Sequence, residues 1–152
     1  MTEDMLKSLQ GRNALIESLA KQELVRGDQA LARRLADCAK LRAYSVGDDI
    51  ITEGNPPQEH LYLILSGKVQ VLIGGKAVAE GGDGDAFGEF PILDPPTPHD
   101  VTLRASAPCV VAEVHERDVR AVGSEHCVFW ENMARVIAHR LKASNAKLHQ
   151  AA

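Results

Sequence analysis

A short segment in the middle of the chain carries residues whose types and spacing could bind an anionic ligand. It runs from Gly84 to Leu93 with the sequence GDAFGEFPIL, and a proline-rich loop follows it as far as Asp100. We predict a short helix that begins beside Gly88, where the missing side chain lets the backbone approach a ligand closely. Backbone N–H groups at the start of a helix attract anions such as phosphate. The segment therefore predicts an anion site near residue 88.

Glu89 places a carboxylate beside these backbone donors. In dinucleotide sites an acidic side chain accepts a hydrogen bond from a ribose 2′-hydroxyl, and Glu89 could serve a sugar in the same way. The alternative interpretation is an exposed charge in a turn. The nearby run Gly82-Asp83-Gly84 is only a fragment of the GxGxxG motif, because Phe87 stands where the third glycine belongs. A dinucleotide-binding fold is therefore not predicted.

Catalytic and metal-binding chemistry find little support in the sequence. His99 and Asp100 are neighbours that could form an acid–base pair, but no nucleophile motif such as GxSxG accompanies them. The six histidines form no HxH, HExxH or i, i+4 pair, which argues against a metal-binding cupin barrel. The cysteines Cys38, Cys109 and Cys127 form no CxxC and are interpreted as reduced thiols. We predict neither an enzyme nor a metal site.

The composition changes along the chain in a way that predicts helices at both ends and a sheet between them. Residues 41–100 hold nine of the twelve glycines and six of the seven prolines, and their three basic and ten acidic residues give a net charge of −7. Short β-rich runs bounded by turn residues predict strands at Asp49–Thr52, Leu61–Leu65, Val69–Ile73, Lys76–Ala79, Val101–Ala105 and Cys109–His115. Regular short strands of this kind are typical of a sandwich or a barrel.

The N-terminal segment shows helical periodicity. Leu15, Ile16 and Leu19 share one face of a helix that extends to about residue 22. Gly27 followed by Asp28 predicts a helix stop and the N-cap of a second helix. In that second helix apolar residues recur at i, i+4 and i+7, a spacing typical of a stripe that packs on a sheet; they are Leu31, Leu35 and Cys38.

The C-terminal segment predicts one long amphipathic helix. Its apolar residues recur at helical spacing: Trp130, Met133, Ile137, Leu141 and Leu148. Such a stripe is typical of a core surface or of a dimer seam, and a homodimer around Trp130, Met133, Ile137 and Leu141 is kept as a hypothesis. The basic residues of this helix are spread along it and are interpreted as a solvated face; they are Arg135, Arg140, Lys142 and Lys147. Direct nucleic-acid binding is not predicted.

Length and hydropathy exclude several classes of protein. The 152 residues suit a single domain. No apolar run exceeds the five residues from Leu61 to Leu65, whereas a membrane-spanning helix needs about 20. The first ten residues are charged and lack the apolar region of a signal peptide. We predict a cytoplasmic protein without a membrane segment.

The ordered glycines and the segment around residue 88 resemble the cyclic nucleotide-binding domain family, which includes catabolite-activator-type regulators, kinase regulatory subunits and cyclic-nucleotide-gated channels. The resemblance covers about Leu41 to Leu148 and rests on Gly47, Gly54, Gly67, Gly84 and Phe87-Gly88-Glu89. It implies an α+β, mainly β fold, in which an eight-stranded antiparallel β-roll of jelly-roll type is flanked by N-terminal helices and a long C-terminal helix. It also implies a cAMP or cGMP ligand.

The resemblance assigns residues to parts of one domain, 1–152. N-terminal helices are expected at 1–40, the roll at 41–115 with a phosphate-binding cassette at about 84–101, and C-terminal helices at 116–150. The ligand-binding residues that it implies are Phe87, Gly88, Glu89, Phe90, His99 and Asp100.

The chain departs from the family pattern where the phosphate should be bound. Family members have an arginine nine or ten residues after the glutamate, beside a small residue, and here His99 and Asp100 occupy those positions. Pro91 lacks an N–H at a position whose backbone often donates to the phosphate. Arg42 is the only arginine between residues 41 and 100, so no local substitute is evident. Losing one charge-assisted hydrogen bond weakens binding by about 10- to 100-fold, and reduced nucleotide affinity is expected.

Two functions remain open at this point. The first is a regulatory sensor domain in which a bound cyclic nucleotide repositions the C-terminal helices and changes a contact with an unknown protein partner or a second copy. The second is a degenerate domain that binds no cyclic nucleotide and serves as an interaction or dimerisation module. Because the chain ends at Ala152, with no residues left for a helix-turn-helix module, direct regulation of DNA is not expected.

Overall fold

The computed structural model describes residues 2–54, 59–94 and 101–151, which form six helices and eight strands. The helices are α1 (Thr2–Leu9), α2 (Arg12–Ala20), α3 (Gln29–Cys38), α4 (Glu89–Leu93), α5 (Glu116–Glu125) and α6 (Cys127–Ala151). The strands are β1 (Lys40–Tyr44), β2 (Asp49–Ile51), β3 (His60–Ser66), β4 (Lys68–Ile73), β5 (Lys76–Gly82), β6 (Ala86–Phe87), β7 (Thr102–Ala105) and β8 (Cys109–His115). Within these ranges, none of the helices combines the length and apolar character needed to span a bilayer.

The eight strands form two four-stranded antiparallel sheets. The first sheet has the order β1-β8-β3-β6 and the second has the order β2-β7-β4-β5. This arrangement, with the long C-terminal helix α6, confirms the predicted α+β class and the eight-stranded antiparallel roll. Strands β1 and β6 are not among the strands predicted from the sequence. Strand β1 has largely exposed, alternating charged residues, and β6 is only two residues long, so neither has a recognisable apolar pattern.

The helix cap and the glycine turn lie at the positions that the sequence predicts for them. Asp28 caps α3, because its side chain accepts a hydrogen bond from the backbone N–H of Leu31 at 3.0 Å. Gly67 joins β3 to β4 with φ of +120°, and a Cβ atom there would lie 2.5 Å from the carbonyl oxygen of Pro108. A side chain at residue 67 would therefore collide with the backbone that enters β8.

The two faces of the first sheet contribute to two separate apolar cores. In β3, Leu61, Leu63 and Leu65 pack with the helices, whereas Tyr62 and Ile64 pack between the two sheets. This division follows from the alternation of side chains along a strand. The first core, called the helix-side core, holds the N-terminal and C-terminal helices against the roll, and the second core fills the interior of the roll. The helices therefore pack on one outer face of the roll.

Helix α6 changes character along its length. Phe129 and Met133 are buried in the helix-side core, and Trp130 and Ile137 are partly buried against it. Leu141 and Leu148, by contrast, are 60% and 67% exposed. The predicted stripe is thus a core surface in the first half of the helix. Met133 is unavailable for the hypothesised dimer seam because it is only 2% exposed.

The three cysteines lie in different environments, which predicts unequal reactivity. The pKa values of the Cys38 and Cys109 thiols are raised, mainly because these side chains are shielded from water. The side chain of Cys127, by contrast, is exposed. Since the thiolate is the nucleophile, we expect the folded protein to react rapidly with iodoacetamide at Cys127 and slowly at the other two positions. Mass spectrometry of the alkylated protein checks this. Equal modification of all three thiols in the folded protein would contradict it, and the unfolded protein, in which all three react, is the control.

Candidate functional site

A cavity of about 740 Å³ lies between the second sheet, the start of α4 and one face of α6. The roll contributes Ile51, Val71, Ile73, Val78, Ala79, Glu80 and Val101, the segment before α4 contributes Asp85, Phe87 and Gly88, the first residue of α4 is Glu89, and α6 contributes Val136, His139, Arg140, Ala143, Ser144 and Lys147. Glu23, from the turn after α2, completes the lining. A cavity of this volume accommodates a small-molecule ligand.

Gly88 fixes the backbone at the inner end of this cavity. Its φ is +93°, in the left-handed region that favours glycine. A Cβ atom would lie 2.9 Å from the carbonyl oxygen of His60 and 3.0 Å from Cδ2 of Tyr62. Helix α4 begins at the next residue, as the sequence predicts. Gly88 therefore lets β6 pass close to β3 and turn directly into α4.

Glu89 is buried and paired, which excludes the interpretation of an exposed turn charge. Its side chain is 7% exposed, and Oε1 accepts a hydrogen bond from Nη1 of Arg140 on α6 at 2.6 Å. The Arg140 guanidinium also donates to the carbonyl oxygen of Ala86 and to Glu23, and it lies 4.7 Å from the ring centroid of Phe87. Contact with an aromatic face adds a cation–π attraction. A single side chain of α6 thus contacts several parts of the segment before α4.

Glu23 is a second acidic group at this end of the cavity. Its Oε1 accepts a hydrogen bond from the backbone N–H of Ala86 at 3.0 Å and lies 3.3 Å from Nη2 of Arg140. Burial raises the pKa of Glu23, and the negative charges of Asp85 and Glu89 act in the same direction, against the lowering effects of the Ala86 N–H and Arg140. Two carboxylates therefore share one guanidinium.

The raised pKa of Glu23 gives a pH dependence of stability with a definite sign. Because folding favours the protonated carboxyl, this contribution to stability is fully present below the unfolded-state pKa and is lost as the pH rises through the folded-state pKa. We expect the native protein, compared with Glu23→Gln, to be relatively most stable in acid and to lose that advantage towards neutral pH. Urea unfolding of both proteins from about pH 4 to pH 7 measures the difference. A difference that grows with pH would show that the pKa is lowered instead.

The structure brings together only part of the site predicted from the sequence. Phe87, Gly88 and Glu89 line one end of the cavity. Phe90 and Pro91 are the second and third residues of α4. His99 and Asp100 lie outside the described residues, so their predicted roles remain untested. A concave space is present beside residue 88, where the sequence predicts an anion site.

One basic residue of α6, Arg140, departs from the solvated face that was predicted for it, whereas Lys147 remains exposed. Arg140 is inserted between Glu23 and Glu89, and Lys147 lines the same cavity farther along the helix. A signal for this exists in the sequence, because both continue the helical spacing of the buried residues Met133 and Val136. A basic residue at the same helical spacing as the buried residues lies on the same face of the helix as they do. Glu23 has no comparable signal, since it lies far from Ala86 in sequence.

Helix α4 is also connected to α5 at its other end. Nη2 of Arg120 donates to the carbonyl oxygen of Ile92 at 2.7 Å, and the same guanidinium pairs with Glu116 one helical turn earlier. Ile92 is 1% exposed, so this end of α4 is anchored in the helix-side core. The segment that forms the inner end of the cavity therefore contacts both C-terminal helices.

Metal binding has no basis in the part of the chain that the structure describes. Among residues 2–54, 59–94 and 101–151, no group of three histidine, cysteine, aspartate or glutamate side chains could hold a metal ion. The polar groups around the cavity are instead carboxylates, a guanidinium, an ammonium, a hydroxyl and an imidazole. Such a set suits an organic ligand with hydroxyl and anionic groups.

Known proteins with similar sequences match this chain over only part of their own length. The Pycsar effector protein PaPycTIR of Pseudomonas aeruginosa is 33% identical over 142 residues, which make up 93% of this chain and 46% of that protein. The chain thus spans about half the length of this curated relative. Activities of the whole relative do not transfer to this region on that similarity alone.

Solved structures with the same fold include a cyclic nucleotide-binding domain from Methylobacillus flagellatus KT, with a TM-score of 0.80, 19% identity and coverage of 93% of this chain and 86% of that one. Another is a triple-substituted regulatory subunit of a cAMP-independent protein kinase A from Trypanosoma brucei, bound to cAMP, with a TM-score of 0.72 and 26% identity over 97% of this chain and 53% of that one. In this chain residues 41–126 match the cyclic nucleotide-binding domain family. The match covers more than half of the chain and agrees with the roll, the cavity and the segment around Gly88, and the chain belongs to the cyclic nucleotide-binding domain family.

Proposed function

We propose that this region is a regulatory sensor, in which a cyclic nucleotide binds in the cavity and its presence is transmitted to α6 through Arg140. The observation that carries the proposal is the 2.6 Å contact between Glu89, the first residue of α4, and Arg140, on the C-terminal helix. Glu89 is the acceptor for a sugar hydroxyl, and Arg140 is the reporter of what Glu89 binds. The same contact links ligand and output element.

The physical basis is competition for one buried carboxylate. Glu89 is almost fully buried, so its oxygens can satisfy only a few donors. A sugar hydroxyl that donates to Glu89 changes the hydrogen bonds left for Arg140, which can shift towards Glu23 or towards the phosphate. A ligand shifts a conformational equilibrium only through different contacts with the two states. Changing the partners of Arg140 is such a difference.

Helix α6 is suited to respond because its two halves are anchored differently. The first half is buried through Phe129 and Met133, whereas residues 141–150 are exposed throughout. Among the described residues, Lys147 connects this second half to the roll, because its Nζ donates a hydrogen bond to the carbonyl oxygen of Val78 at 2.7 Å. A small change at Arg140 can therefore alter the position of the second half without disrupting the core.

Trp130 provides an internal reporter for the first test. It is the only tryptophan, and its indole lies against Gly123 of α5, where a Cβ atom would come within 2.2 Å of the ring. Titration with cAMP or cGMP should give a saturable change in its fluorescence. The variant Glu89→Gln should bind about 10- to 100-fold more weakly, because a charged acceptor is lost. Absence of saturation at millimolar concentrations of both nucleotides, followed also by calorimetry, would refute the proposal.

A specific observation also favours the degenerate alternative. The buried acceptor Glu89 is already satisfied by Arg140, and Glu23, Glu80 and Asp85 surround the cavity with further negative charge. This negative charge disfavours a phosphate, as do the missing N–H of Pro91 and the presence of His99 and Asp100 where the family has an arginine and a small residue. If the domain has lost its ligand for that reason, the double variant His99→Arg, Asp100→Ser should gain cAMP binding that the native protein lacks. No gain in that variant would mean that the alternative has a different cause.

The output of the sensor is proposed to be a protein contact rather than a reaction in this region. Leu141 and Leu148 lie seven residues apart on exposed turns of α6, so a homodimer through this helix would use them instead of the buried Met133. Sedimentation equilibrium of the native protein and of Leu141→Lys tests this hypothesis, which requires a dimer that the substitution weakens. The three free cysteines support the predicted cytoplasmic location, where thiols remain reduced.

A further inference from the structure

The cavity proposed for an anionic ligand is lined by more acidic than basic side chains. The acidic residues are Glu23, Glu80, Asp85 and Glu89, and the basic ones are Arg140 and Lys147. A cyclic phosphate would add one more negative charge to this space. Like charges oppose each other most strongly where water is partly excluded. Binding of an anion therefore becomes more favourable if one of the carboxylates gives up its charge.

Glu23 is the carboxylate of this set that loses its charge most easily. Glu80 is exposed to water, and Asp85 accepts a hydrogen bond from a backbone N–H at 2.9 Å. Glu89 has the closer contact with Arg140, at 2.6 Å. Burial raises the pKa of Glu23, and the negative charges of Asp85 and Glu89 raise it further. The free protein is therefore already biased towards a protonated Glu23.

The groups that face Glu23 come from α6 and from the segment around the start of α4. Nη2 of Arg140 lies 3.3 Å from its Oε1, and the backbone N–H of Ala86 donates to the same oxygen at 3.0 Å. Both favour the charged form, whereas Asp85 and Glu89 oppose it. Among the described residues, Glu23 forms its ion pair with Arg140, which also pairs with Glu89. The charge of Glu23 thus depends on one shared guanidinium.

A bound cyclic nucleotide competes with Glu23 for this guanidinium. The planar fork of an arginine binds a phosphate through two parallel hydrogen bonds. When Arg140 turns to the phosphate, Glu23 loses its ion pair and gains a new negative neighbour. Both changes favour the protonated carboxyl. The protonated group still offers Oε1 as an acceptor for the N–H of Ala86, so the local fold is preserved.

We propose that Glu23 takes up a proton when a cyclic nucleotide binds, so that ligand and proton enter the cavity together. This inference rests on the proposed function and adds to it a residue from the turn after α2. A ligand that raises the pKa of Glu23 binds most tightly in acid, and its affinity falls as the pH rises from the pKa of the free protein to that of the complex. Since the pKa of Glu23 is raised in the free protein, this window begins above the ordinary glutamate value of 4.5.

Two measurements on the native protein test the inference, with cAMP and cGMP as the probes. Titrations followed by Trp130 fluorescence from about pH 5 to about pH 8 should show an affinity that falls by about tenfold, which corresponds to an increase of about one in the pKa of Glu23 on binding. Calorimetry near pH 6, in two buffers of different ionisation enthalpy, should show uptake of up to about one proton per bound ligand.

Glu23→Gln is the decisive variant, because its amide keeps an oxygen acceptor for the N–H of Ala86 but neither carries a charge nor titrates. At about pH 8 it should bind the nucleotide about tenfold more tightly than the native protein, at about pH 5 equally tightly, and without proton uptake. Glu80→Gln is the matched control, since it removes the same charge from the cavity and should retain the proton uptake. His139→Gln and His99→Gln should retain it as well, which separates Glu23 from imidazoles that titrate in the same range.

The possible outcomes separate the inference from the proposed function. Binding without proton uptake, or with proton release, would overturn the inference and leave the proposed function intact. Uptake that persists in Glu23→Gln, or that disappears in one of the three control variants, would assign the proton to another group and overturn it too. If circular dichroism shows that Glu23→Gln does not fold, uptake by the native protein and the three controls still decides the question. If neither nucleotide binds the native protein at any pH, the proposed function fails and this inference fails with it.

Discussion

Replacing Gly88 with alanine is expected to lower the free energy of unfolding by about 2–5 kcal/mol and to abolish ligand binding in the cavity. The backbone at residue 88 has φ of +93°, where a side chain is strained by about 1–2 kcal/mol. The new Cβ atom would also lie 2.9 Å from the carbonyl oxygen of His60, a backbone atom of β3 that cannot rotate away. Relief requires β6 and the start of α4 to move, and Glu89 moves with them.

Gly75→Ala is the control for this prediction, since Gly75 has φ of +80° but no atom within 4 Å of the added Cβ. It should lower the free energy of unfolding by only about 1–2 kcal/mol and leave ligand binding unchanged. Urea unfolding and calorimetric titration of both variants provide the comparison. Equal destabilisation by the two substitutions would show that the close approach to His60 has no energetic importance.

Replacing Arg140 with methionine is expected to uncouple α6 from the ligand site. The substitution leaves Glu89 buried without its 2.6 Å partner and also removes the cation that Glu23 faces. Because the Arg140 side chain is 35% exposed, solvent screens part of this interaction, and we expect the free energy of unfolding to fall by about 1–3 kcal/mol. Hydrogen exchange of residues 141–150 should no longer change when a ligand binds.

A double-mutant cycle separates the pair from other effects of the substitution. With Glu89→Gln already present, Arg140→Met should destabilise the protein less, because no unpaired charge remains, and the coupling energy should lie between about 0.5 and 3 kcal/mol. Arg12→Met is the control: Arg12 pairs on the surface with Asp37 at 2.8 Å, both side chains are more than half exposed, and its loss should change stability by less than about 1 kcal/mol. Strictly additive effects of the Glu89 and Arg140 substitutions would show that the contact does not join the two elements energetically.

Together these features make the site a composite of two distant parts of the chain. Residues 87–89 provide the aromatic ring, the tight glycine turn and the carboxylate, whereas α6 provides the cations of the described cavity. In the proposed sensor, the phosphate contact expected to be weak at Pro91, His99 and Asp100 is offset by charge from α6, provided that α6 lies against the roll. Ligand affinity and the position of the helix would then be linked thermodynamically, each favouring the other.

Much of the fold follows from local patterns. Alternating residues place Leu61 and Ile64 on opposite faces of β3, Asp28 caps α3, and the positive φ of residue 67 in the β3–β4 turn favours glycine. Such features depend on neighbours a few residues apart, so they can be recognised in a single sequence. Strand β6 cannot be recognised in this way because two residues give too short a pattern, and its existence depends on pairing with β3.

Local patterns in the chain predict six of the eight strands, the helical flanks and the segment around Gly88 and Glu89, since glycine turns, residue alternation and helix caps are local physical requirements. The position of Arg140 between Glu23 and Glu89, and the reach of Lys147 to β5, arise only when the chain is folded. These contacts join residues separated by 51 to 117 positions along the chain. Whether a cation on a helix faces water or a buried carboxylate depends on how that helix docks, and docking is determined by the packing of the whole core.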